Sequence, residues 1–319
     1  MEGISSESKN KFISLIITAH SRRNYLKRAI QSAMNQSLSK DFYEIIIVKD
    51  FEDIEIDDII VRNGIKSIKA SENSKVGEDL YLGIINSTGE IISFLDDDDT
   101  FLLNKLESVY TIFKKFTNVV FYHNYQTFEN INQSNSSYHG IRGLFASNDL
   151  RNKLKEFFNR YGSFPLFFNL SSISIRKNYY TEYFNDLKKL IAHPDDFFFF
   201  IGLEGDGKLY FDDLALTKYT VHESTSNVDK LSNSKIDYFK KKSEIAYRYA
   251  LATSYIKSII HNRQIISILS ARSDIELLES KIYQRKFDLF LFAKCIINAR
   301  NYGIKWTIYT IYSVIQENF

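Results

Sequence analysis

Four aspartates in a row, Asp96, Asp97, Asp98 and Asp99, follow the apolar run EIISFL at 90–95. Adjacent carboxylates repel one another, raise one another's pKa values and add nothing to packing, so such a cluster is costly unless something offsets its charge. A hard divalent ion does so: Mn²⁺ and Mg²⁺ take carboxylate oxygens, and Mg²⁺ characteristically uses one or two of them together with substrate phosphates. In a loop leaving a strand alternate side chains share a side, which sets Asp96 and Asp98 together. The same four residues also fit a solvated acidic turn running into a helix, because Asp is favoured at N-caps and in first turns. Asp99 and Thr100 are expected to serve the following helix in that way. A second acidic pair, Asp195-Asp196, follows His193-Pro194 and leads into the block FFFFI at 197–201. A carboxylate there can take a proton from an attacking hydroxyl, or it can cap a helix that opens on Pro194.

These groups need a frame to hold them. Residues 12–18 (FISLIIT), 44–48 (EIIIV), 90–95 and 119–123 read as buried strands, with weaker strands at 59–61 and 67–69. Helical spacing covers 23–35, 77–86 and 102–115. Alternation of this kind implies βαβ crossovers and a mostly parallel sheet with helices on both faces. Ligands of such sheets sit beyond the carboxyl ends of the strands, so Thr18, His20, Asp50 and the aspartate run are expected to line one crevice. The polar stretch 124–170 has the length of a lid or binding loop, with one helix at 148–160. Residues 208–211 and 214–221 read as strands ending at His222. From Lys235 onward helical patterns run over 236–261, 274–299 and 305–316, with breaks expected at 270–273 and at Gly303. The organisation is thus a short leading segment (1–11), an α/β body (12–234) and a C-terminal helical region (235–319).

Composition narrows the function classes. The single cysteine, Cys295, excludes an internal disulfide framework and a multi-cysteine zinc site. Residues 1–10 lack the apolar core of a signal peptide, and no run approaches the ~20 apolar residues of a membrane span. The net charge of +2 conceals an asymmetry: from Lys235 to the end there are 14 Lys/Arg against 7 Asp/Glu, whereas the preceding residues carry 27 against 32. An acidic body argues against nucleic acid as a partner. The basic tail fits either helices packed on the body or a surface resting on anionic lipid.

The segments ISLIITAHSRRNYLKRAIQSAMNQ, YEIIIVKD and GIINSTGEIISFLDDDDTFLLNKLE, in that order and spacing, resemble the family 2 glycosyltransferases of the GT-A fold. The resemblance is close over residues 12–110, traceable through 193–226, and does not reach the tail. It implies a nucleoside-diphosphate sugar donor, a hydroxyl acceptor, inversion at the anomeric carbon and a divalent metal (Mn²⁺ or Mg²⁺). By it, Thr18 and His20 line the nucleotide, His20 standing where the family often has Tyr. Asp50 matches the carboxylate on the nucleobase. Asp96, Asp97 and Asp98 match the segment on the ribose and metal, with Asp98 and Asp96 as metal ligands and His222 approaching the metal or diphosphate. Asp195-Asp196 takes the place of the family's Glu-Asp pair, whose second member is the general base. Departures are Thr18-Ala19-His20-Ser21 for the usual Pro-Thr-Tyr-Asn, Lys49-Asp50 for Asp-Asp, and Leu80-Tyr81 for an Arg-Asn that contacts phosphate. The Gln-x-x-Arg-Trp sequence of processive members is absent, which favours transfer of a single sugar. The location implied is cytoplasmic, with peripheral contact at the inner membrane face. A nucleotidyltransferase, or a weakly active binding module on the same fold, are the alternatives.

Overall fold

A computed structural model describes residues 11–20, 23–129, 142–161, 169–220, 234–302 and 304–318. Every residue of β1 (Ile13–Ala19) is buried, and the two-residue alternation of its side chains divides two cores. Ile13, Leu15, Ile17 and Ala19 pack with Leu26, Ala29 and Ile30 of α1 (Arg23–Met34). Ile16 packs on the opposite face with Leu80 and Ile84 of α3 (Val76–Ile85). A strand apolar on both faces requires a layer on each, and this one has them.

The described strands also include β2 (Tyr43–Lys49), β3 (Lys66–Lys69), β4 (Ile91–Asp96), β5 (Thr100–Phe101), β6 (Val119–Glu129), β7 (Gly143–Ala146), β8 (Ile173–Arg176) and β9 (Lys208–Thr220). They form a nine-stranded sheet in the order β3-β2-β1-β4-β8-β6-β9-β5, with β7 on β9. The β3-β2-β1-β4 half is parallel. Beyond it β8 runs antiparallel to both β4 and β6, so the sheet as a whole is mixed. Register in the parallel half sets Thr18 beside Asp96 and Ala19 beside Lys49, which brings the ends of β1, β2 and β4 level.

Several elements differ from the sequence expectation for identifiable reasons. Residues 59–61 are helical, within α2 (Ile54–Arg62). Asp53 caps that helix by accepting the N–H groups of Glu55 and Ile56, and the buried pair Ile56 and Ile60 outweighs β-branched propensity. Asp99 and Thr100 do not open a helix: Thr100 pairs with Lys218 in β5, and α4 (Lys105–Lys115) starts after Asn104. Residues 208–220 make one strand, in which Asp213 and Leu214 bulge out between the pairs Asn124↔Asp212 and Tyr125↔Ala215. Part of the expected polar lid is strand β6, and its helix is α5 (Ser147–Tyr161).

The C-terminal helices are α8 (Lys235–Ile259), α9 (Arg263–Tyr283), α10 (Leu289–Tyr302) and α11 (Ile304–Asn318). No break occurs at 270–273. Asn262 caps α9, the helix runs through, and Ser273 Oγ donates to the Ala250 carbonyl of α8 at 3.1 Å. The chain turns instead at 284–288, where Arg285 adopts φ 58°. Phe197, Phe198 and Ile201 of α7 (Pro194–Glu204) share one core with Ala252 and Ile256 of α8 and Ile265 and Leu269 of α9, so these helices pack on the body. No helix among the described residues is long and apolar enough to cross a membrane.

One close approach links the two sides of the crevice described below. At Gly77, in the first turn of α3, an added Cβ would lie 1.9 Å from the carbonyl oxygen of Leu187, the last residue of α6 (Phe184–Leu187), and its N–H bonds the Leu190 carbonyl at 3.2 Å. Gly77→Ala should therefore destabilise the fold by about 2–3 kcal/mol, the cost of overpacking against backbone that cannot yield, read from chemical denaturation midpoints.

Candidate functional site

Three strand ends and one helix build the first half of the site. His20 follows β1, Asp50 follows β2, and Asp79 projects from the first turn of α3. His20 Nδ1 faces Asp50 Oδ2 at 3.2 Å, and its Nε2 bonds Asp79 Oδ2. The hydrogen bond to Asp79, aided by Asp50 against the effect of burial, pulls the imidazole pKa up to about 9. His20 is thus a clamped imidazolium between two carboxylates. Asp79 is 1% exposed, and its Oδ1 is buried without a hydrogen-bond partner. The sequence reading missed Asp79 because it looked for a cation one position later. The available signal was an acid on the inward stripe of α3 with Leu80, Gly83 and Ile84. Beside His20 lies a cavity of about 420 Å³ lined by Ser74, Lys75, Val76, Ile191 and Arg248.

The aspartate run alternates as expected: Asp96 and Asp98 are partly exposed, Asp97 and Asp99 are buried. Asp99 ties the loop down. Its Oδ2 accepts from Ser171 Oγ at 2.6 Å and Asn169 Nδ2 at 3.1 Å, and its Oδ1 accepts the Thr220 N–H at 3.0 Å. Ser171 Oγ also accepts the Asp96 N–H at 3.0 Å, so one hydroxyl pins both ends of the turn. Burial, together with the charges of Asp99, Asp98 and Asp96, pushes the Tyr219 phenol up to about 12. Asp96 and Asp98, each partly exposed, are of the type that suits a hard cation. Asp97 lies inside the turn rather than on the crevice wall. His222 falls outside the described residues.

The second half is built by α7 with the C-terminal helices. His193 sits in the left-handed region (φ 57°, ψ 47°), and Asp195 and Asp196 occupy the first turn after Pro194. A non-glycine residue in that conformation persists only where its surroundings over-determine it. The His193 ring lies 4.2 Å from the Tyr249 ring, its Nδ1 is 3.5 Å from Asp196 Oδ2, and its Nε2 is 3.7 Å from Glu276 Oε1. Arg272 closes the ring, with Nη1 2.7 Å from Asp196 Oδ2 and Nε 2.9 Å from Glu276 Oε1. Asp196 is buried and held in this network, whereas Asp195 is partly exposed. Burial and the neighbouring Asp196 charge push the Asp195 carboxyl up to about 6. His193, Asp195 and Asp196 also bring ligand atoms within 4.8 Å of one another. The cavity beside His20 also reaches this half, through Ile191, two residues before His193, and Arg248, next to Tyr249.

The acids at the carboxyl ends of the parallel strands stand where open α/β sheets take their ligands, and the fold is that of the GT-A glycosyltransferases. The model of the Glycosyl transferase family 2 matches residues 14–176, and the chain belongs to that family: it is a glycosyltransferase. It is 27% identical to an uncharacterized glycosyltransferase of Rickettsia typhi over 96% of both chains. It is 34% identical to the minor teichoic acid biosynthesis protein GgaA of Bacillus subtilis over 31% of this chain and 24% of that one. Among solved structures it is similar to S. aureus TarS 1-349 in complex with UDP-GlcNAc, with a TM-score of 0.56 at 14% identity, covering 96% of this chain and 89% of that one. The mannosyltransferase PcManGT from Pyrobaculum calidifontis, in complex with GDP-Man and Mn²⁺, gives 0.53 at 11% identity, covering 98% and 88%. The family match sets aside the nucleotidyltransferase alternative.

The geometry separates a structural aspartate from its neighbour. Asp99→Ala leaves three buried donors without their acceptor and should cost about 2–4 kcal/mol, whereas Asp98→Ala, partly exposed, should stay within about 1 kcal/mol, both by urea denaturation. For His20, NMR titration of the imidazole should give a midpoint well above the ordinary 6.5, near the 9 set by its two carboxylates. Asp79→Asn should lower it by at least ~1 unit. Because the folded value is raised, the pairing stabilises the fold fully below about pH 6.5 and is lost as pH rises through about 9.

Proposed function

We propose that this glycosyltransferase is inverting and metal-dependent, and that it moves a single sugar from a nucleoside-diphosphate sugar to a hydroxyl acceptor. The reading is supported by the family membership together with two sets of carboxylates, Asp96 and Asp98 at the end of β4 and Asp195-Asp196 at the start of α7. Thr18, His20 and Asp50 take the nucleoside, with Asp79 fixing the His20 ring. Asp96 and Asp98 would hold a Mn²⁺ or Mg²⁺ ion with Asp97 in the turn behind them, and His222 is a further candidate ligand by the family resemblance. When bound, the ion neutralises charge on the departing diphosphate.

Asp196 is the proton acceptor. Arg272 and His193 fix its Oδ2 and leave Oδ1 for the acceptor hydroxyl, which loses its proton as its oxygen attacks the anomeric carbon. The neighbouring Asp195 carboxyl is pushed up by burial and by the Asp196 charge beside it. Arg272 and Glu276 come from α9, so the helical region 235–319 belongs to the catalytic unit even though the family model ends at residue 176. UDP-GlcNAc and GDP-Man are the first donors to try, since they accompany the structural neighbours. With such a donor goes a cytoplasmic location, and contact of the basic C-terminal helices with the anionic inner face of a membrane.

Calorimetric titration of the full chain with UDP- and GDP-sugars, with and without Mn²⁺, tests the donor half. Asp98→Ala should abolish the metal-dependent part of the affinity without unfolding the protein; unchanged affinity removes the metal assignment. Asp196→Asn should bind donor normally while turnover falls by roughly 10²–10⁴-fold, the range for a positioned base. Near-normal turnover moves the base to Asp195.

A further inference from the structure

The turn between α9 and α10 exposes side chains that folded proteins ordinarily bury. Phe287, Leu289 and Phe290 are 58, 71 and 82% exposed, and Arg285 and Lys286 beside them are exposed as well. Along α10 the exposure continues at Ala293, Ile296 and Ile297, positions that follow Leu289 and Phe290 at spacings of three, four and seven. Those intervals trace one stripe on a helix. The inward face is separately filled: Leu291 and Cys295 are buried in the body's core. Hence α10 carries two apolar faces, and its outer one has no layer over it among the described residues. Scattered exposed apolar residues are ordinary, but a contiguous stripe with two phenylalanines at its tip marks an interaction surface.

Charge chooses the occupant. Asp288, the acidic residue in the segment 284–298, is turned to other work: Lys281 Nζ pairs with it at 2.5 Å, and its Oδ1 caps α10 by accepting the Leu291 N–H at 2.9 Å. Lys294 is likewise answered, by Asp274 at 2.7 Å. What the tip presents is therefore aromatic and aliphatic bulk with the two cations Arg285 and Lys286. A self-paired copy of this face would add the same two cations from the partner without an exposed acid on the stripe to meet them. An anionic bilayer offers both what the apolar side chains require and what the cations require.

We propose that the α9–α10 turn and the outer stripe of α10 seat the protein on anionic lipid, with Phe287, Leu289 and Phe290 entering the headgroup region and Arg285 and Lys286 at the phosphates. This deepens the membrane contact proposed above by naming its surface. It uses no residue of the transfer site, so either can fail without the other.

Sedimentation of the full chain with vesicles of phosphatidylcholine, alone or mixed with phosphatidylglycerol, tests the assignment. The protein should sediment with the mixed vesicles and stay in solution with the neutral ones. The double substitution Leu289→Asp with Phe290→Asp, and separately Arg285→Glu with Lys286→Glu, should each weaken sedimentation by about tenfold or more at unchanged melting temperature, since all four side chains are exposed. Full binding by the Leu289→Asp/Phe290→Asp protein, or no binding of the native chain to mixed vesicles, overturns the proposal. So does a dimer in light scattering that the same substitutions dissolve, which would assign the stripe to a second copy. Donor affinity measured alongside should be unchanged in every variant.

Discussion

Repulsion among carboxylates is the constraint this structure answers at every turn. The ends of β2 and β4 and the first turns of α3 and α7 carry Asp50, the four aspartates of the loop, Asp79 and Asp195-Asp196. Like charges at such spacing raise one another's pKa and oppose folding. Each group is met by a different device. His20 takes Asp50 and Asp79 on its two ring nitrogens, two side-chain donors and a backbone N–H absorb Asp99, and Arg272 with His193 absorbs Asp196. Once these are accounted for, the acids left partly exposed at the crevice are Asp96, Asp98 and Asp195. The arrangement thus separates the acids already held by a charged or hydrogen-bonding partner from those that keep carboxylate surface toward solvent.

The same constraint explains why the C-terminal helices cannot be a detachable addition. Asp196 in a buried first turn would carry an uncompensated charge without Arg272, and breaking a buried pair from one side is far costlier than its net contribution suggests. Glu276 needs Arg272 and His193 in turn: despite burial, they hold its carboxyl below the usual range. His193 can keep its left-handed backbone because Tyr249 of α8 and Glu276 of α9 fix its ring. Helices α8 and α9 therefore serve the crevice electrostatically as well as through the shared apolar core.

How much of this was legible in the residues depends on the range of the interactions. Buried strands of the parallel half and their order announce themselves through local apolar runs, and the acidic positions at their ends follow from topology alone. What escaped were pairings between distant segments. Asp79 was hidden because its partner His20 lies some sixty residues away, and a charge on an inward helical stripe has meaning only with that partner. Arg272 was hidden by Ser270 and Ser273, which were read as a helix break. Both serines are accommodated within α9, Ser273 by bonding across to Ala250. Asp99 looked like a helix cap because Asp is favoured there; its acceptors are satisfied instead by Asn169, Ser171 and Thr220, which only the tertiary fold brings near.

The departures from the family pattern fit together once these pairings are seen. Lys49 replaces an acid, and its ammonium is turned away from the crevice, to the Phe51 carbonyl at 2.6 Å and Asp57 at 2.9 Å, leaving Asp50 to face His20. Leu80 replaces an arginine and is wholly buried beneath β1, so α3 offers the crevice an acid, Asp79, where the pattern has a cation. With two carboxylates on His20 in that corner, an incoming phosphate would meet repulsion unless positive charge arrived from elsewhere. Lys75 just ahead of α3 and Arg248 of α8 line the cavity beside His20. Arg248 is steadied by the Ile191 carbonyl at 3.1 Å. Positive charge beside His20 thus comes partly from the C-terminal helices, which couples their packing to the electrostatics of that corner as well as to the Asp196 network.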